Sequence, residues 1–160
     1  MVWTKNWLQQ CVDRHVRLGS IGNALPKGTQ VKHRILVVDG DPEYQELLKC
    51  WLELEGHEAI LAKTLEAGFI GIATPPYPDV VLLEIHLGNQ NGLTLVHWAR
   101  RQRHLAHIPI AAMAELANFK DLKSIAEAGC TTCFTKPMDL RALRAYLAGL
   151  PILSESKIST

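Results

Sequence analysis

The chain has 160 residues, enough for one ordinary domain with a hydrophobic core and too few for two domains of usual size. Its 48% hydrophobic and 21% charged residues are typical of a soluble globular protein, and a formal net charge of +1 gives no electrostatic reason to bind nucleic acid or acidic lipid. No apolar run approaches the roughly 18 residues of a membrane span, and four scattered cysteines make no disulfide framework, so we expect a cytoplasmic protein that binds neither membrane nor nucleic acid.

The first 33 residues differ from the rest, because one helix-like stretch is followed by a run rich in Gly, Pro and polar residues. Apolar residues recur at helical spacing from Trp7 to Val12, which predicts a short amphipathic helix and then a linker. Two interpretations stay open: a loosely docked terminus, and a helix that binds a partner or a second copy. We expect an extension over residues 1–33, a domain over 34–150 and a flexible tail over 151–160.

Strands and helices alternate from Arg34 onward. Five short runs predict strands: "RILVVD", "HEAILA", "DVVLLEI", "IPIAAMA" and "CTTCFT". Five helices follow them, the first opened by Asp41 and ended by Gly56, the second capped by Thr64, and the others predicted over about 93–99, 118–128 and 139–149. Five such units with short loops require a parallel sheet with helices on both faces.

This alternation predicts the flavodoxin-like doubly wound (βα)5 fold, with strand order 2-1-3-4-5. Ligands of such folds sit outside the carboxyl ends of the strands, at the point where the strand order reverses. That point lies between strands one and three. The residues expected at the pocket edge are Asp39, Gly40, Asp41, Glu84, His86, Ala114, Glu115, Thr135 and Lys136.

Three motifs at these strand ends resemble the receiver domain of two-component response regulators, over about residues 33–150. "RILVVDGDPE" resembles the opening strand with its acidic pair, "PDVVLLEIHLGNQNG" the phosphoacceptor strand, and "AGCTTCFTKPMDLRAL" the strand that carries a Lys-Pro pair. The resemblance implies that an acidic pair holds Mg²⁺, that an aspartate accepts a phosphoryl group, and that a lysine pairs with it. It also implies a Thr or Ser hydroxyl and an aromatic side chain that move in response.

The acidic pair is incomplete in this chain. Asp39 matches the first acid, but Gly40 stands where the second is expected, which removes a hard oxygen ligand and makes Mg²⁺ binding doubtful. Asp41 could replace that ligand in part, although a role as the cap of the first helix is favoured. We therefore expect no cofactor and at most a vestigial metal position at Asp39.

Glu84 aligns with the phosphoacceptor, and its carboxylate lies one methylene further out than that of an aspartate. It is therefore expected to be a poorly placed nucleophile. Ala114 and Cys133 stand where the responding hydroxyl and aromatic are expected. Lys136 is retained, and the resemblance suggests a cis peptide to Pro137. We expect an ion pair between Lys136 and Glu84 in a fixed pocket.

These substitutions favour an atypical, stand-alone receiver-like signalling protein that is not an enzyme and acts by protein-protein contact, with a sensor kinase or a downstream regulator as partner. The alternative that stays open is a single-domain regulator that still receives phosphate from a histidine kinase. A small-molecule or flavin binder rests on the fold alone. A homodimer through the fourth helix, fifth strand and fifth helix is also open, and the candidates for that face are Phe119, Lys123, Arg141, Arg144 and Tyr146.

Two weaker patterns carry structural expectations only. The run "ARRQRH" predicts a solvated helix end that includes Arg100. Cys130 and Cys133 are three residues apart on a predicted strand, so we expect buried thiols on opposite faces of the sheet, with Phe134 on the face opposite Cys133.

Overall fold

A five-stranded parallel sheet forms the centre of the computed structural model, which describes residues 31–115 and 119–151. The strands are β1 (Arg34–Val38), β2 (Glu58–Ala62), β3 (Val80–Glu84), β4 (His86–Leu87), β5 (Gln90–Asn91), β6 (Ile110–Ala114) and β7 (Thr132–Thr135). The helices are α1 (Pro42–Leu54), α2 (Leu65–Ala73), α3 (Leu93–Arg101), α4 (Phe119–Ala128) and α5 (Leu140–Ala148). The helix predicted near the N-terminus and nearly all of the predicted tail lie outside the described residues.

The strands β4 and β5 form a separate antiparallel pair outside the main sheet. The five strands of the main sheet have the order β2-β1-β3-β6-β7, which is the predicted order 2-1-3-4-5 because β6 and β7 are its fourth and fifth strands. The small hairpin of β4 and β5 lies between the third predicted strand, which ends at Ile85, and the helix predicted from about residue 93. Strands of two residues are too short to produce a periodic pattern, so the sequence could not indicate them. Among the described residues, no helix is long and apolar enough to cross a membrane.

Hydrophobic cores lie on both faces of the sheet. Leu36 and Val38 of β1 pack with side chains of α2, α3 and α4, whereas Ile35 and Val37 pack with side chains of α1 and α5. Alternate residues of a strand point to opposite faces, so a strand covered by helices on both sides needs apolar residues at every position. This two-sided burial explains the uninterrupted apolar runs of the sequence.

The predicted helix caps are present. Asp41 and Thr64 accept hydrogen bonds from amide groups in the first turns of α1 and α2. Asp139 does the same for α5. Gly56 and Gly129 follow α1 and α4 with φ values of 85° and 100°, a region that glycine enters without steric cost.

We predicted that the two thiols face opposite sides of the sheet, and this prediction is wrong. Cys130 precedes β7 rather than lying in it, and both Cys130 and Cys133 pack against the core that α2, α3 and α4 cover. Strand alternation therefore does not apply across this pair. It does apply to Phe134, which packs against the opposite core as predicted.

The charge pattern at the end of α3 predicted a solvated helix end, but Arg100 is partly buried and bonded to backbone carbonyl groups, whereas Arg101 and Arg103 are exposed. Its Nε and one terminal nitrogen donate to the carbonyl oxygen of Gly129 at 3.0 and 2.9 Å, and the other terminal nitrogen donates to the carbonyls of Ala106 and Ile108. Burial lowers the pKa of Arg100. The guanidinium therefore ties the end of α3 to two loops, one of which lies 29 residues away.

We expect the substitution Arg100→Met to lower the free energy of unfolding by roughly 2 to 4 kcal/mol, because it leaves partly buried carbonyl oxygens without donors. Urea denaturation of the full chain measures the change. The matched control is Arg101→Met, since Arg101 is exposed and should change stability by about 0.5 kcal/mol or less. Equal losses in the two variants would contradict the role given to Arg100.

Candidate functional site

Asp39, Glu84 and Lys136 meet at the carboxyl edge of the sheet. Lys136 Nζ lies 2.6 Å from Asp39 Oδ2 and 3.0 Å from Glu84 Oε1. The Asp39 side chain is fully buried, and those of Lys136 and Glu84 are only 11% and 14% exposed. The predicted ion pair between Lys136 and Glu84 is therefore present, and the peptide before Pro137 is cis as expected. We call these three residues the carboxylate–lysine triad.

The register of the parallel strands explains why residues so far apart in sequence come together. Val38 of β1 lies opposite Leu83 of β3, which places Asp39 and Glu84 at the same edge. Lys136 follows β7, and its backbone N–H donates to the carbonyl oxygen of Ala114 at 2.7 Å. This bond holds the start of the lysine beside β6, from where its long side chain reaches both carboxylates.

All four carboxylate oxygens of the triad have a polar partner. Besides the two contacts with Lys136, Glu84 Oε2 accepts the backbone N–H of Gly40 at 3.2 Å. Asp39 Oδ1 accepts the backbone N–H of Asp41 at 2.8 Å. The glutamate side chain is thus held at both oxygens by groups of this chain.

Tyr44 and Gln45 also belong to the site, although neither was among the site residues predicted from the sequence. Lys136 Nζ lies 4.4 Å from the centre of the Tyr44 ring, within cation–π distance. Burial raises the pKa of Tyr44 to about 12. The signal that could have found Tyr44 is its position in the first turn of a helix that starts at the carboxyl edge of the sheet.

Gln45 supports the backbone that carries Asp39. Its side chain is buried, and Nε2 donates to the carbonyl oxygens of Ala62 and Val37 at 2.7 and 3.3 Å. The same Ala62 oxygen accepts the N–H of Asp39 at 3.1 Å. An amide side chain on the buried face of an otherwise apolar helix usually has such backbone partners, and this was the available sequence signal.

Each charged group of the triad changes the pKa of its neighbours in the triad. Burial raises the pKa of Asp39 to about 6, against the opposing effect of its hydrogen bond and charge contact with Lys136. Burial alone would favour a neutral Lys136, but Asp39 and Glu84 outweigh it and raise the pKa of the lysine. Asp39 therefore stabilises the folded state most when protonated, below about pH 4, and this contribution is lost as the pH rises through about 6. Lys136 stays charged over that range.

The donors at this edge do not fit a Mg²⁺ ion. Mg²⁺ needs several oxygen ligands in near-octahedral geometry. Gly40 supplies no side-chain oxygen, and Asp41 Oδ1 accepts the N–H groups of Glu43 and Tyr44 as the cap of α1. The oxygens of Asp39 and Glu84 already contact the lysine or backbone N–H groups. Over residues 31–115 and 119–151, no group of three His, Cys, Asp or Glu side chains could hold a metal ion.

The two predicted response positions, Ala114 and Cys133, carry neither a hydroxyl nor an aromatic ring. Ala114 ends β6, is 3% exposed and has no hydroxyl. Cys133 is half-buried in β7 against the core.

A pocket of about 350 Å³ opens on the β6 side of Glu84; its lining residues are Glu84, His86, Met113, Ala114 and Glu115. Thr135, also predicted at the edge, is exposed at the end of β7.

Two residues of the candidate dimer face, Arg144 and Tyr146, also have partners within the domain. Arg144 turns towards α1, where its guanidinium makes two hydrogen bonds of 2.7 Å with the buried carboxylate of Glu55. The Tyr146 hydroxyl lies 2.7 Å from the Thr131 hydroxyl. Both side chains therefore join elements within the domain. Lys123 and Arg141 are exposed, and the side chain of Phe119 lies outside the described part of the chain. The homodimer stays a prediction.

Comparisons with known proteins identify the family of the chain. A family model described as "Response regulator receiver domain" matches residues 35–148. The chain is 27% identical over 118 residues to the polar-differentiation response regulator DivK of Brucella ovis, covering 71% of this chain and 94% of that protein.

Two solved structures are similar in fold. A two-component response regulator from Clostridium difficile is 28% identical with a TM-score of 0.67, over 74% of this chain and 95% of that one. A CheY-like response regulator receiver domain protein from Methanospirillum hungatei is 26% identical with a TM-score of 0.66, over 73% and 91% of the two chains.

Proposed function

The chain belongs to the response regulator receiver family, and we propose that it signals by binding another protein, without the Mg²⁺-dependent aspartyl phosphorylation expected of that family. Receiver domains act in two-component signalling, where they contact sensor kinases or downstream regulators. The output of this receiver domain follows from the presence of a partner and not from a phosphoryl group.

The carboxylate–lysine triad is the observation that carries the proposal. An in-line attack on a phosphorus atom needs a nucleophilic oxygen with an open approach, and the transferred group needs cations to neutralise it. Glu84 has both oxygens occupied, one by Lys136 and one by the N–H of Gly40. Phosphorylation would have to break these contacts, and no second acid at residue 40 would hold a metal ion to compensate.

Phosphoryl mimicry by Glu84 is a weaker explanation of the same site. A glutamate carries one negative charge, whereas a phosphoryl group brings about −1.5 to −2. The charge of Glu84 is also matched by Lys136 at 3.0 Å. Ala114 and Cys133, which stand at the two response positions, supply no hydroxyl or aromatic ring through which that charge would act. These features support a fixed domain rather than a permanently activated one.

A pull-down from native lysate tests the proposal. The tagged full chain is used as bait with and without Mg²⁺ and acetyl phosphate, and the captured proteins are quantified by mass spectrometry. We expect the same partners in the same amounts under both conditions. A receiver domain with an intact acidic pair, aspartate and threonine, used in the same lysate, shows that the phosphodonor is effective. A partner that this chain captures only after treatment with the phosphodonor would contradict the proposal.

A further inference from the structure

Two histidines lie together at the opposite edge of the sheet, where β1 and β2 begin. His33 precedes β1 and is 3% exposed, and His57 precedes β2 and is half-buried. Their rings are stacked with centroids 5.5 Å apart and an interplanar angle of 26°. This pair takes no part in the carboxylate–lysine triad, and neither histidine was singled out from the sequence.

The hydrogen bonds of the pair define the proton on one nitrogen of each ring. The backbone N–H of His33 donates to Nδ1 of His57 at 3.2 Å, so that nitrogen must carry a lone pair and no proton. Nε2 of His33 lies 3.0 Å from the carbonyl oxygen of Leu147 in α5, and since a carbonyl only accepts, this nitrogen is the donor. The observed arrangement therefore requires His57 to be neutral.

His33 joins three elements at the point where β1 begins. Its N–H contacts His57, its carbonyl oxygen accepts the N–H of Glu58 at the start of β2 at 2.9 Å, and its ring contacts the end of α5. It is also the first buried residue of the described domain. A change that loosens His33 would therefore loosen both the start of β1 and its contact with the end of α5.

The charged groups around His57 do not remove its preference for the neutral form. Burial and the neighbouring His33 lower the pKa of His57, and Glu55 opposes them. The Glu55 carboxylate is itself engaged by Arg144 of α5. On the β1 side, Arg34 pairs with Glu58 at 3.0 Å. On the β3 side, the carboxylate of Asp79 accepts the backbone N–H of Arg34.

We propose that the His33–His57 pair is a proton switch that holds the start of β1 against β2 and α5 at neutral pH and releases it at acidic pH, as His57 becomes protonated. A proton on Nδ1 removes the acceptor of the His33 N–H and places two donors face to face. The pair then loses its hydrogen bond and gains a charge beside a buried ring. The bonds of His33 to Glu58 and Leu147 would then be left to connect the start of β1 to β2 and α5.

The direction of the pH dependence follows from the neutral pair. A base whose pKa in the folded state is below its ordinary value of 6.5 is protonated more readily in the unfolded state. Its stabilising contribution is present above about pH 6.5 and is lost as the pH falls through the folded pKa. Asp39 acts in the opposite direction, because its protonation near pH 6 stabilises the folded state. The test must therefore isolate His57.

The substitution His57→Asn isolates it, since Asn Oδ1 occupies the place of Nδ1 as an acceptor that does not titrate. The control is His97→Asn on the exposed surface of α3. In the full wild-type chain, we expect the NMR shift of the His33 amide to follow one titration with a midpoint below 6.5. The melting temperature of the wild type should fall relative to that of His57→Asn between about pH 7.5 and about pH 5.5, and His97→Asn should follow the wild type.

Two results would overturn the switch, and the first needs no variant. One is a His33 amide shift that does not titrate, or that titrates with a midpoint at or above 6.5. The other is a His57→Asn variant whose melting temperature keeps the full pH dependence of the wild type. Because the titration uses the wild-type chain, it decides between the outcomes even if the His57→Asn variant fails to fold.

Discussion

Replacing Lys136 with methionine is expected to lower the free energy of unfolding by about 3 to 5 kcal/mol, the range seen when one partner of a buried ion pair is removed. Asp39 is fully buried and Glu84 is 14% exposed, so both carboxylates would face each other without a counter-charge. Methionine keeps most of the length of the lysine and removes only the cation. Urea denaturation at about pH 7.5 measures the loss.

The loss should shrink as the pH falls. Without the lysine, the pKa of Asp39 rises further above its ordinary range, so Asp39 takes up a proton and the repulsion disappears. A suitable control is Lys123→Met, because Lys123 lies in an exposed pair with Glu127 that contributes about 0.5 kcal/mol or less. If Lys136→Met and Lys123→Met cost the same, the triad would not be a stabilising unit.

Gly92→Ala is expected to cost roughly 3 kcal/mol, since the added methyl group would overlap the backbone carbonyl oxygen of Glu84. Gly92 is buried between β3 and α3, and its N–H donates to the carbonyl of Ile85 at 2.8 Å. Neither backbone segment can move away without shifting the end of β3. The strain therefore falls on the backbone of Glu84, whose side chain belongs to the triad.

Thermal unfolding of Gly92→Ala and Gly149→Ala gives the comparison. Gly149 is exposed at the end of α5 with a φ of −86°, and a Cβ there would meet its nearest atom at 3.6 Å. Its substitution should change stability by about 0.5 kcal/mol or less. A Gly92→Ala protein as stable as Gly149→Ala would show that the turn after β3 is looser than the structure indicates.

The fold could be predicted because its determinants are local. Strands buried on both faces need continuous apolar runs, and β6 is buried at every position. Asp41 and Thr64 mark helix starts by side-chain bonds that span only two or three residues. The site could be predicted in outline for a related reason, because parallel strands bring Asp39 and Glu84 to one edge whatever the details of the loops.

The parts that could not be predicted depend on partners far away in the sequence. Arg144 and Glu55 are separated by 89 residues, and no pattern on α5 alone shows that Arg144 turns towards α1. Arg100 looked like a solvated cation because its acceptors are carbonyl groups, which have no sequence signature. The high pKa of Asp39 likewise depends on how deeply the side chain is buried, a property of the finished packing.

We propose that the closed carboxylate–lysine triad stands in place of a phosphorylation switch. Intact-mass measurement after incubation with Mg²⁺ and acetyl phosphate tests it most directly. The variant Gly40→Asp/Glu84→Asp restores both expected acids, and a Cβ at residue 40 has room because it would lie 3.9 Å from Leu87 and 4.0 Å from Glu84. We expect this variant to gain a phosphoryl group. The wild type should keep its mass, and a stable gain of one phosphoryl group in the wild type that Glu84→Gln abolishes would contradict the account.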